Sequence, residues 1–410
     1  MPIWNAIATN YFALCVARTT MLGWQGACAL ERSWVPRELG KNMLRLNTTL
    51  YFERGMYDVL VAMLQQNKPW YDDSLFLPRM LVSEFILNPN HVELRDLKDW
   101  TTSQWLYNFA RSLQARGNKR AAEASLELAS YLDEGWQDDL SRALTYYQLG
   151  RIYQTEKKWD AAVRAYKEAL SSFLSVNTAI GREYSAYTHR RLGEILEQQG
   201  DPHAAIEYYI QSILVSPQHA DFFRPVDLLL RQQRSLQDAY LFLADLRQKG
   251  QQDDPYLWSN SALVFIERGA PQMAERVLAE VPIELKDAPA IRAAEARLAM
   301  AQGKWTTAES LYAFLLAEEK SANSEDQQRI ASLTNALGEA IFQQGRYAEA
   351  LRWFDEATRL APTIPKHWYN LGLAYQQLGR RAEARAAFEK ALALNPDYAA
   401  AQKALRDLKP

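Results

Sequence analysis

Apolar residues in the last part of the chain recur with the spacing of one helix face. In the segment that starts at Pro365, Trp368, Leu371 and Tyr375 are separated by three and four residues, which places their side chains on one stripe of a helix. Gly379 follows, and glycine suits the left-handed conformation that commonly ends a helix. The pattern predicts a helix with one buried face, followed by a turn.

A second helix is predicted after this turn. Ala384, Phe388 and Ala391 again share one face, with small residues where two helices cross and one aromatic ring between them. Pro396 cannot continue this helix, because it lacks a backbone donor and its ring clashes with the preceding turn. On the first helix, Gly372 omits a side chain that would hold the neighbouring helix away, at a cost of about 1 kcal/mol in helix propensity. We expect a closely packed helix pair.

The same pattern occurs 34 residues earlier. Seven positions are shared, namely Leu337, Gly338, Gly345, Ala350, Phe354, Ala357 and Pro362 in the first copy and Leu371, Gly372, Gly379, Ala384, Phe388, Ala391 and Pro396 in the second. Further copies start at Ser103, Ala143, Ala186, Pro255 and Pro289. The window 221–254 has the right length but lacks the glycine and alanine signals. Two inserts, 177–185 and 323–330, separate copies, and the sequence does not decide whether they are binding loops or spacers.

The pattern resembles the tetratricopeptide repeat, a helix-turn-helix unit of about 34 residues. The resemblance implies an all-α fold, an α-solenoid of stacked helix-turn-helix repeats in a right-handed superhelix, closed by a C-terminal polar helix. We predict three regions: an N-terminal helical region with diverged repeat-like units at 1–102, an array of about eight units at 103–398 with a degenerate unit at 221–254, and a C-terminal capping helix at 399–410.

The first hundred residues show the pattern only in part. Trp4, Ile7, Ala8 and Tyr11 would lie on the first helix of a unit that starts at Met1. A unit that starts at Lys41 would include Tyr51, Gly55, Leu60 and Leu64. Between that unit and residue 103 we find no repeat signal, and we interpret the segment as a helical linker packed on the array.

Composition agrees with a repeat protein and argues against several other classes. The chain has 410 residues, and 48% of them are apolar, which is enough to fill the interfaces between neighbouring units. Lys+Arg 47 against Asp+Glu 49 gives a net charge of -2, which argues against a nucleic-acid binder that works by phosphate neutralisation. Cys15 and Cys28 have no metal-ligand spacing, so we predict buried thiols, with a disulfide between them left open. No cofactor or metal is expected.

The start of the chain raises the question of a membrane. The segment from Ile3 to Val16 is apolar, but Asn5 and Asn10 interrupt it and Arg18 ends it. It is too short and too polar to cross about 30 Å of hydrocarbon, and it lacks the features of a secretion signal. We predict a cytoplasmic protein without a membrane span. The uncovered first helix supports an alternative, in which the chain is the soluble part of a membrane-associated protein and residue 1 is an internal point of a longer chain.

No motif for catalysis or nucleotide binding occurs. The P-loop, the dinucleotide-binding glycine turn, the zinc-binding His-Glu-x-x-His pair and the serine nucleophile elbow are all missing from the sequence. The histidines are scattered over different units, as His91, His189, His203, His219 and His367. His189 and His367 fall at or beside the tryptophan position of a first helix, which favours a role in packing. We therefore predict that the chain is not an enzyme.

The family resemblance also indicates which residues would bind a partner. In tetratricopeptide arrays the first helices line a concave groove, and certain positions of each unit commonly point into it. Those positions hold Tyr107, Asn108, Arg111, Gln114, Tyr147, Gln148, Arg151, Gln154, Tyr187, Arg190, Glu194, Glu197, Lys366, Tyr369, Asn370, Leu373 and Gln376. Tyr107 with Arg111 and Tyr147 with Arg151 are each four residues apart, so each pair is predicted to share a helix face. Tyrosine beside arginine suits recognition of carboxylates, although an ordinary solvated face has the same composition.

Some family members bind the C-terminal carboxylate of a partner with a fixed set of lysine, asparagine and arginine residues. Lys366 and Asn370 resemble part of that set. Ala336 and Gln148 occupy positions where asparagine would be needed. The set is incomplete, which argues against this mode of binding.

Two functions are consistent with these patterns. We favour a non-enzymatic scaffold that binds a peptide or a protein surface in the concave groove. The alternative is a soluble repeat tail of a larger membrane-bound or glycan-assembling enzyme, which would serve recruitment. The sequence identifies neither the partner nor the oligomeric state.

Overall fold

The protein is all-α over the residues that the structure describes. A computed structural model describes residues 48–66, 77–87, 103–133, 136–250, 253–322 and 326–408. Every regular element within these ranges is a helix, so the predicted fold class is confirmed. The predicted first repeat helix near Met1 and both cysteines lie outside the described residues. The chain divides into two compact units, Met1–Asp201 and Pro202–Pro410, called the N-terminal and C-terminal units.

The N-terminal unit has a helical segment at 48–53 followed by longer helices. These are α1 (Tyr57–Gln66), α2 (Leu77–Leu87), α3 (Ser103–Ala115), α4 (Lys119–Leu132), α5 (Asp139–Thr155), α6 (Trp159–Phe173) and α7 (Ala179–Gln198). The C-terminal unit continues with α8 (Pro202–Val215), α9 (Phe223–Arg231), α10 (Leu236–Lys249), α11 (Pro255–Glu267), α12 (Pro271–Ala279), a 3-10 turn (Ile283–Leu285), α13 (Pro289–Ala301), α14 (Trp305–Ser321), α15 (Gln327–Gln343), α16 (Tyr347–Leu360), α17 (Pro365–Gln377), α18 (Arg381–Leu394) and α19 (Ala399–Asp407).

Helices pack in consecutive pairs within each unit. In the N-terminal unit α3 packs against α4 and α5 against α6, and the first helices α3, α5 and α7 contact one another in order. In the C-terminal unit the pairs are α11 with α12, α13 with α14, α15 with α16 and α17 with α18. The main contacts join elements that are one or two places apart along the chain, as expected of helical repeats.

Glycines on the first helices allow each pair to approach closely. A Cβ atom at Gly372 would lie 2.5 Å from the ring of Phe388, and a Cβ atom at Gly150 would lie 2.5 Å from the ring of Tyr166. Both rings are fully buried and cannot turn away into solvent. The close approach predicted for Gly372 is therefore present, and the neighbour is the aromatic ring of the second helix.

The turn within each pair uses the left-handed backbone conformation. Gly379 has φ +73° in the turn between α17 and α18, as predicted. Lys157 and Gln233 adopt the same conformation, with φ 60° and 62°, in the α5–α6 and α9–α10 turns. The window 221–254 therefore keeps the turn without a glycine, although a side chain costs roughly 1–2 kcal/mol there.

The degenerate window 221–254 also differs at the helix crossing. Its helices α9 and α10 are present, and Ser235 begins α10 with a capping box in which its hydroxyl accepts from the Asp238 amide at 3.1 Å. Ala239 is the fourth residue of α10, as Ala384 is of α18, and both are fully buried. The alanine signal is therefore present at the crossing but lies one residue earlier than the 34-residue spacing places it.

Both inserts lengthen first helices. Residues 179–185 belong to α7, and the Thr178 hydroxyl begins that helix by accepting from the Gly181 amide at 3.0 Å. Residues 327–330 belong to α15, which Asp326 caps by accepting from the Arg329 amide at 2.9 Å. Residues 323–325 lie outside the described part.

A short helix closes the last repeat, as predicted. Ala404 and Leu405 of α19 pack against a buried cluster of Ala384, Phe388 and Leu408, the last of which follows α19. The division into regions at 1–102, 103–398 and 399–410 remains a prediction.

Candidate functional site

Tyrosine rings from successive first helices meet in the N-terminal unit. The Tyr147 ring on α5 lies 5.3 Å from the Tyr184 ring on α7, edge to face, and Tyr184 lies 5.8 Å from Tyr187. Edge-to-face rings at this separation attract each other through their quadrupoles. The surrounding surface is called the tyrosine–arginine face and comprises Tyr107, Asn108, Arg111, Tyr147, Arg151, Gln154, Tyr184, Tyr187, Arg190, Arg191 and Glu194.

The predicted residues on this face differ in how far solvent reaches them. Tyr107 and Tyr147 are only 4% and 6% exposed, so their side chains contribute packing. Asn108, Arg111 and Arg151 are exposed, and Gln154, Tyr187, Arg190 and Glu194 are half-buried. Burial raises the pKa of Tyr107 and of Tyr187 above the ordinary value, so both phenols stay neutral at physiological pH.

The arginines of this face outnumber its carboxylates. Arg190 and Arg191 share one carboxylate, that of Glu194, at 3.5 Å and 2.8 Å. The Arg111 guanidinium lies 5.9 Å from the centre of the Tyr107 ring, which confirms that this pair shares a helix face. Within the described part of the chain, neither Arg111 nor Arg151 forms an ion pair. Two exposed guanidiniums therefore lack a carboxylate partner among the residues that the structure describes.

Sequence reasoning missed Tyr184 and Arg191. Tyr184 lies in the insert 177–185, outside the 34-residue unit onto which the family positions were transferred. Helical continuation of that insert brings its ring against Tyr147. The signal for Arg191 was its place three residues before Glu194, since residues at that spacing are neighbours on a helix.

The predicted residues Lys366 and Asn370 meet a carboxylate of the same chain. One oxygen of Glu339 on α15 accepts from the Asn335 amide at 2.7 Å and from the Asn370 amide at 2.7 Å, and it lies 2.8 Å from the Lys366 ammonium. Asn370 also donates to the Asn335 carbonyl oxygen at 3.0 Å. This network ties α15 to α17 and engages the polar atoms that were candidates for a partner.

The other two candidates on α17 face the closing helix. Tyr369 packs against Phe388 and Tyr398 at ring separations of 5.7 Å and 5.4 Å. Leu373 packs against the buried cluster that contains Phe388 and Leu408. Tyr369 and Leu373 therefore lie together in the packing between the last helix pair and the closing helix. Lys366 and Asn370 lie instead in the network around Glu339.

Family models agree with the repeated helix pairs. Models described as tetratricopeptide repeat match residues 141–215 and 365–398, and one described as TPR repeat matches residues 338–379. The chain contains tetratricopeptide repeats. No curated protein sequence is significantly similar to it.

Several solved structures are similar to this tetratricopeptide repeat protein at low identity. A tetratricopeptide repeat protein from Parabacteroides merdae is 15% identical with a TM-score of 0.44, over 75% of this chain and 98% of that one. The APC/C hetero-tetramer Cut9-Hcn1 is 13% identical with a TM-score of 0.41, over 99% of this chain and 84% of that one. Yeast Tom70 is 13% identical with a TM-score of 0.40, over 91% of this chain and 89% of that one. All three TM-scores are below 0.5, so function must be argued from the residues of this chain.

Two kinds of feature are absent from the described residues. No helix there is long and apolar enough to cross a membrane. The same part of the chain contains no group of three or more His, Cys, Asp or Glu side chains that could hold a metal ion.

We expect acid to destabilise this repeat protein through His189. Burial lowers the pKa of its imidazole to about 4, below the value of about 6.5 in an unfolded chain. The unfolded state therefore takes up the proton first, so the stabilisation is complete above about pH 6.5 and is lost as the pH falls towards 4. At pH 5 the loss will be roughly 2 kcal/mol. Urea midpoints of the wild type and of His189→Gln between pH 5 and 7.5 measure it, and parallel pH profiles would contradict it.

Proposed function

We propose that this tetratricopeptide repeat protein is a non-enzymatic scaffold that binds a segment of a partner protein on the tyrosine–arginine face. The observation that carries the proposal is the exposure of Arg111 and Arg151, neither of which has an ion-pair partner among the described residues. Guanidiniums bind carboxylates with two parallel hydrogen bonds, which gives both strength and orientation. The partner segment therefore contains Asp or Glu side chains.

The tyrosines of the face supply the second part of the binding surface. Tyr184 and Tyr187 are half-buried, so one side of each ring packs against the protein while the rest remains open to contact. Rings held in this way lose little conformational freedom when a partner binds. Aromatic and arginine side chains are also the residues that most often dominate binding energy at interfaces. An acidic segment with apolar side chains between its carboxylates would use both groups.

The test is affinity purification from extracts of the source cell, followed by identification of bound proteins. The variant carries Arg111→Gln and Arg151→Gln, which remove two charges from exposed side chains and leave the buried Tyr107 and Tyr147 in place. We expect recovery of at least one partner to fall tenfold or more, since losing one central charged contact commonly costs over 1 kcal/mol. Raising the salt concentration should weaken wild-type recovery as well.

The matched control carries Arg164→Gln and Lys167→Gln. Both side chains are exposed on the second helix α6, so the net charge changes equally while the tyrosine–arginine face stays intact. The control should retain the partner. Equal recovery of every bound protein by the wild type and by the Arg111/Arg151 variant would refute the assignment of this face.

A further inference from the structure

The turns within the hairpins of the C-terminal unit carry positive charge. These turns join α9 to α10, α11 to α12, α13 to α14, α15 to α16 and α17 to α18. Each turn contains one Lys or Arg and no Asp or Glu, and the cations are Arg234, Arg268, Lys304, Arg346 and Arg380. We call these turns, with the first residue of the helix that follows each of them, the turn edge. It comprises residues 232–236, 268–271, 302–305, 344–347 and 378–381.

The connections between successive hairpins carry the opposite charge. They lie at the other end of the helices, because each helix runs from a turn to a connection. The connections 216–222, 280–288, 361–364 and 395–398 contain Lys286 as their one cation, against the acids Asp221, Glu280, Glu284, Asp287 and Asp397. Loop charges of opposite sign are therefore separated between the two edges of this unit, and the turn edge is the one that attracts anions.

Hydrogen bonds between repeats hold neighbouring turns side by side. Gln302 in the α13–α14 turn donates to Glu275 in α12 at 3.2 Å. Gln344 in the next turn donates to Glu309 in α14 at 2.7 Å, and Arg346 lies 2.8 Å from the same carboxylate. Each of these turns thus contacts the helix that starts at the preceding turn. The cations of the turn edge consequently form a row, which suits an extended surface.

Three cations of the turn edge have no carboxylate partner among the described residues. Arg234, Lys304 and Arg381 are exposed, and none of them forms an ion pair there. The other cations pair with carboxylates of nearby helices, as Arg268–Asp227, Arg346–Glu309, Arg346–Glu349 and Arg380–Glu383. The second helices also begin at this edge and add the positive ends of their dipoles. The turn edge therefore presents cationic groups that are available to an anionic surface.

Aromatic and apolar side chains lie between these cations. Trp305 and Tyr347 are the first residues of α14 and α16, directly after Lys304 and Arg346, and both rings are half-buried. Leu378 in the last turn is 37% exposed. Tryptophan and tyrosine are enriched at the level of lipid headgroups, because one end of the ring is apolar and the other is polar. The turn edge thus combines the two kinds of side chain that bind a protein to an anionic bilayer surface.

We propose that the turn edge binds the surface of a membrane that contains anionic phospholipids. Such a surface offers charged headgroups above an apolar layer, so it suits both kinds of side chain. A nucleic acid would attract the same cations, but it has no apolar layer to receive Leu378. The turn tips are accessible, since a Cβ atom at Gly345 or Gly379 would have nothing within 4 Å. The proposal goes beyond the function proposed for the tyrosine–arginine face and uses different residues.

The test is co-sedimentation of the full-length protein with lipid vesicles. One set of vesicles is phosphatidylcholine alone, and the other is an equal mixture of phosphatidylcholine and phosphatidylserine. The wild type should bind the anionic set at least tenfold more tightly. A Lys or Arg near an anionic surface strengthens binding about fivefold, so the variant with Arg234→Gln, Lys304→Gln and Arg381→Gln should lose tenfold or more. Wild-type binding should also fall between 0.1 and 1 M salt, where the Debye length shrinks from about 10 to about 3 Å.

The matched control carries Arg352→Gln, Lys390→Gln and Lys403→Gln. All three side chains are exposed within α16, α18 and α19, away from the turns, so the net charge changes equally and vesicle binding should be retained. Leu378→Gln tests the apolar part at unchanged charge and should weaken vesicle binding severalfold, because less apolar surface leaves water. Circular dichroism of each variant confirms that the helices are retained.

Several outcomes would overturn this proposal. Equal binding of the wild type to both sets of vesicles is one, and equal loss in the turn-edge variant and its control is another. Tighter binding to a duplex RNA or DNA than to anionic vesicles, lost in the turn-edge variant, would assign the row of cations to nucleic acid instead. The Arg111/Arg151 variant should bind vesicles as the wild type does. Failure of the tyrosine–arginine face and failure of the turn edge are therefore separate results.

Discussion

Replacing Gly372 with alanine is expected to destabilise the last helical hairpin by about 1–3 kcal/mol. Helix propensity alone predicts the opposite, since alanine is favoured over glycine by about 1 kcal/mol inside a helix. The new methyl group would lie 2.5 Å from the Phe388 ring, which is fully buried and cannot move into solvent. Either α17 or α18 must shift, and the packing of the pair is lost in part.

Amide hydrogen exchange of α17 and α18 is the appropriate measurement, because repeat proteins can open locally without unfolding throughout. Gly379→Ala is the matched control. Gly379 has φ +73° and open space around it, so alanine there costs roughly 1–2 kcal/mol of backbone strain without a clash. A second change, Phe388→Leu, should recover stability only in the Gly372→Ala background. Recovery in neither background would mean that the ring contact does not set the packing distance.

Replacing Glu280 with alanine is expected to cost about 2 kcal/mol, because it leaves the Arg247 cation buried without a carboxylate. Arg247 is 3% exposed, and its Nη2 atom donates to Glu280 at 3.2 Å. Within the described residues, its Nη1 atom has no hydrogen-bond partner. The Tyr240 hydroxyl also donates to Glu280. Breaking a fully buried pair costs more, but Glu280 is nearly half exposed, and water will compensate in part.

The Arg247→Met variant separates the charge from the packing. Methionine keeps the length of the side chain among Tyr240 and Trp258 and removes the desolvated charge, so its loss should be under 1 kcal/mol. Combined with Glu280→Ala, it should return most of the lost stability, as measured by urea denaturation. Glu284→Ala, at an exposed position of the neighbouring 3-10 turn, is the control for a lost surface carboxylate. Additive losses in the double variant would show that the two residues do not interact.

The helix pairs could be predicted because the residues that begin and end them are local signals. Pro255, Pro289 and Pro365 each begin a first helix, at the positions where the repeat units were placed. Proline is favoured there because the first helical turn needs no backbone donor. The predicted repeat units start at Ala143 and Ala186, which lie inside α5 and α7. The helices begin earlier, because the Asp138 carboxylate caps α5 and the Thr178 hydroxyl caps α7.

The candidate site was predictable only in part, because burial depends on neighbours from other repeats. Tyr107 and Arg111 were placed together by their spacing, and their contact is present. The burial of Tyr147 depends on Tyr166 and Tyr184, which come from other helices. The engagement of Lys366 and Asn370 by Glu339 likewise joins two repeats. Helical periodicity orders residues on one helix and carries no information about which side chain of the next helix reaches them.

The sequential pairing of helices has a mechanical consequence. Within each unit the main contacts join elements one or two places apart, so the stability of each hairpin depends on its immediate neighbours. Under tension applied at one end, we expect the hairpin of α17 and α18 to detach while that of α15 and α16 stays folded. Extension should then occur in steps, one hairpin at a time, and should reverse when the load is removed.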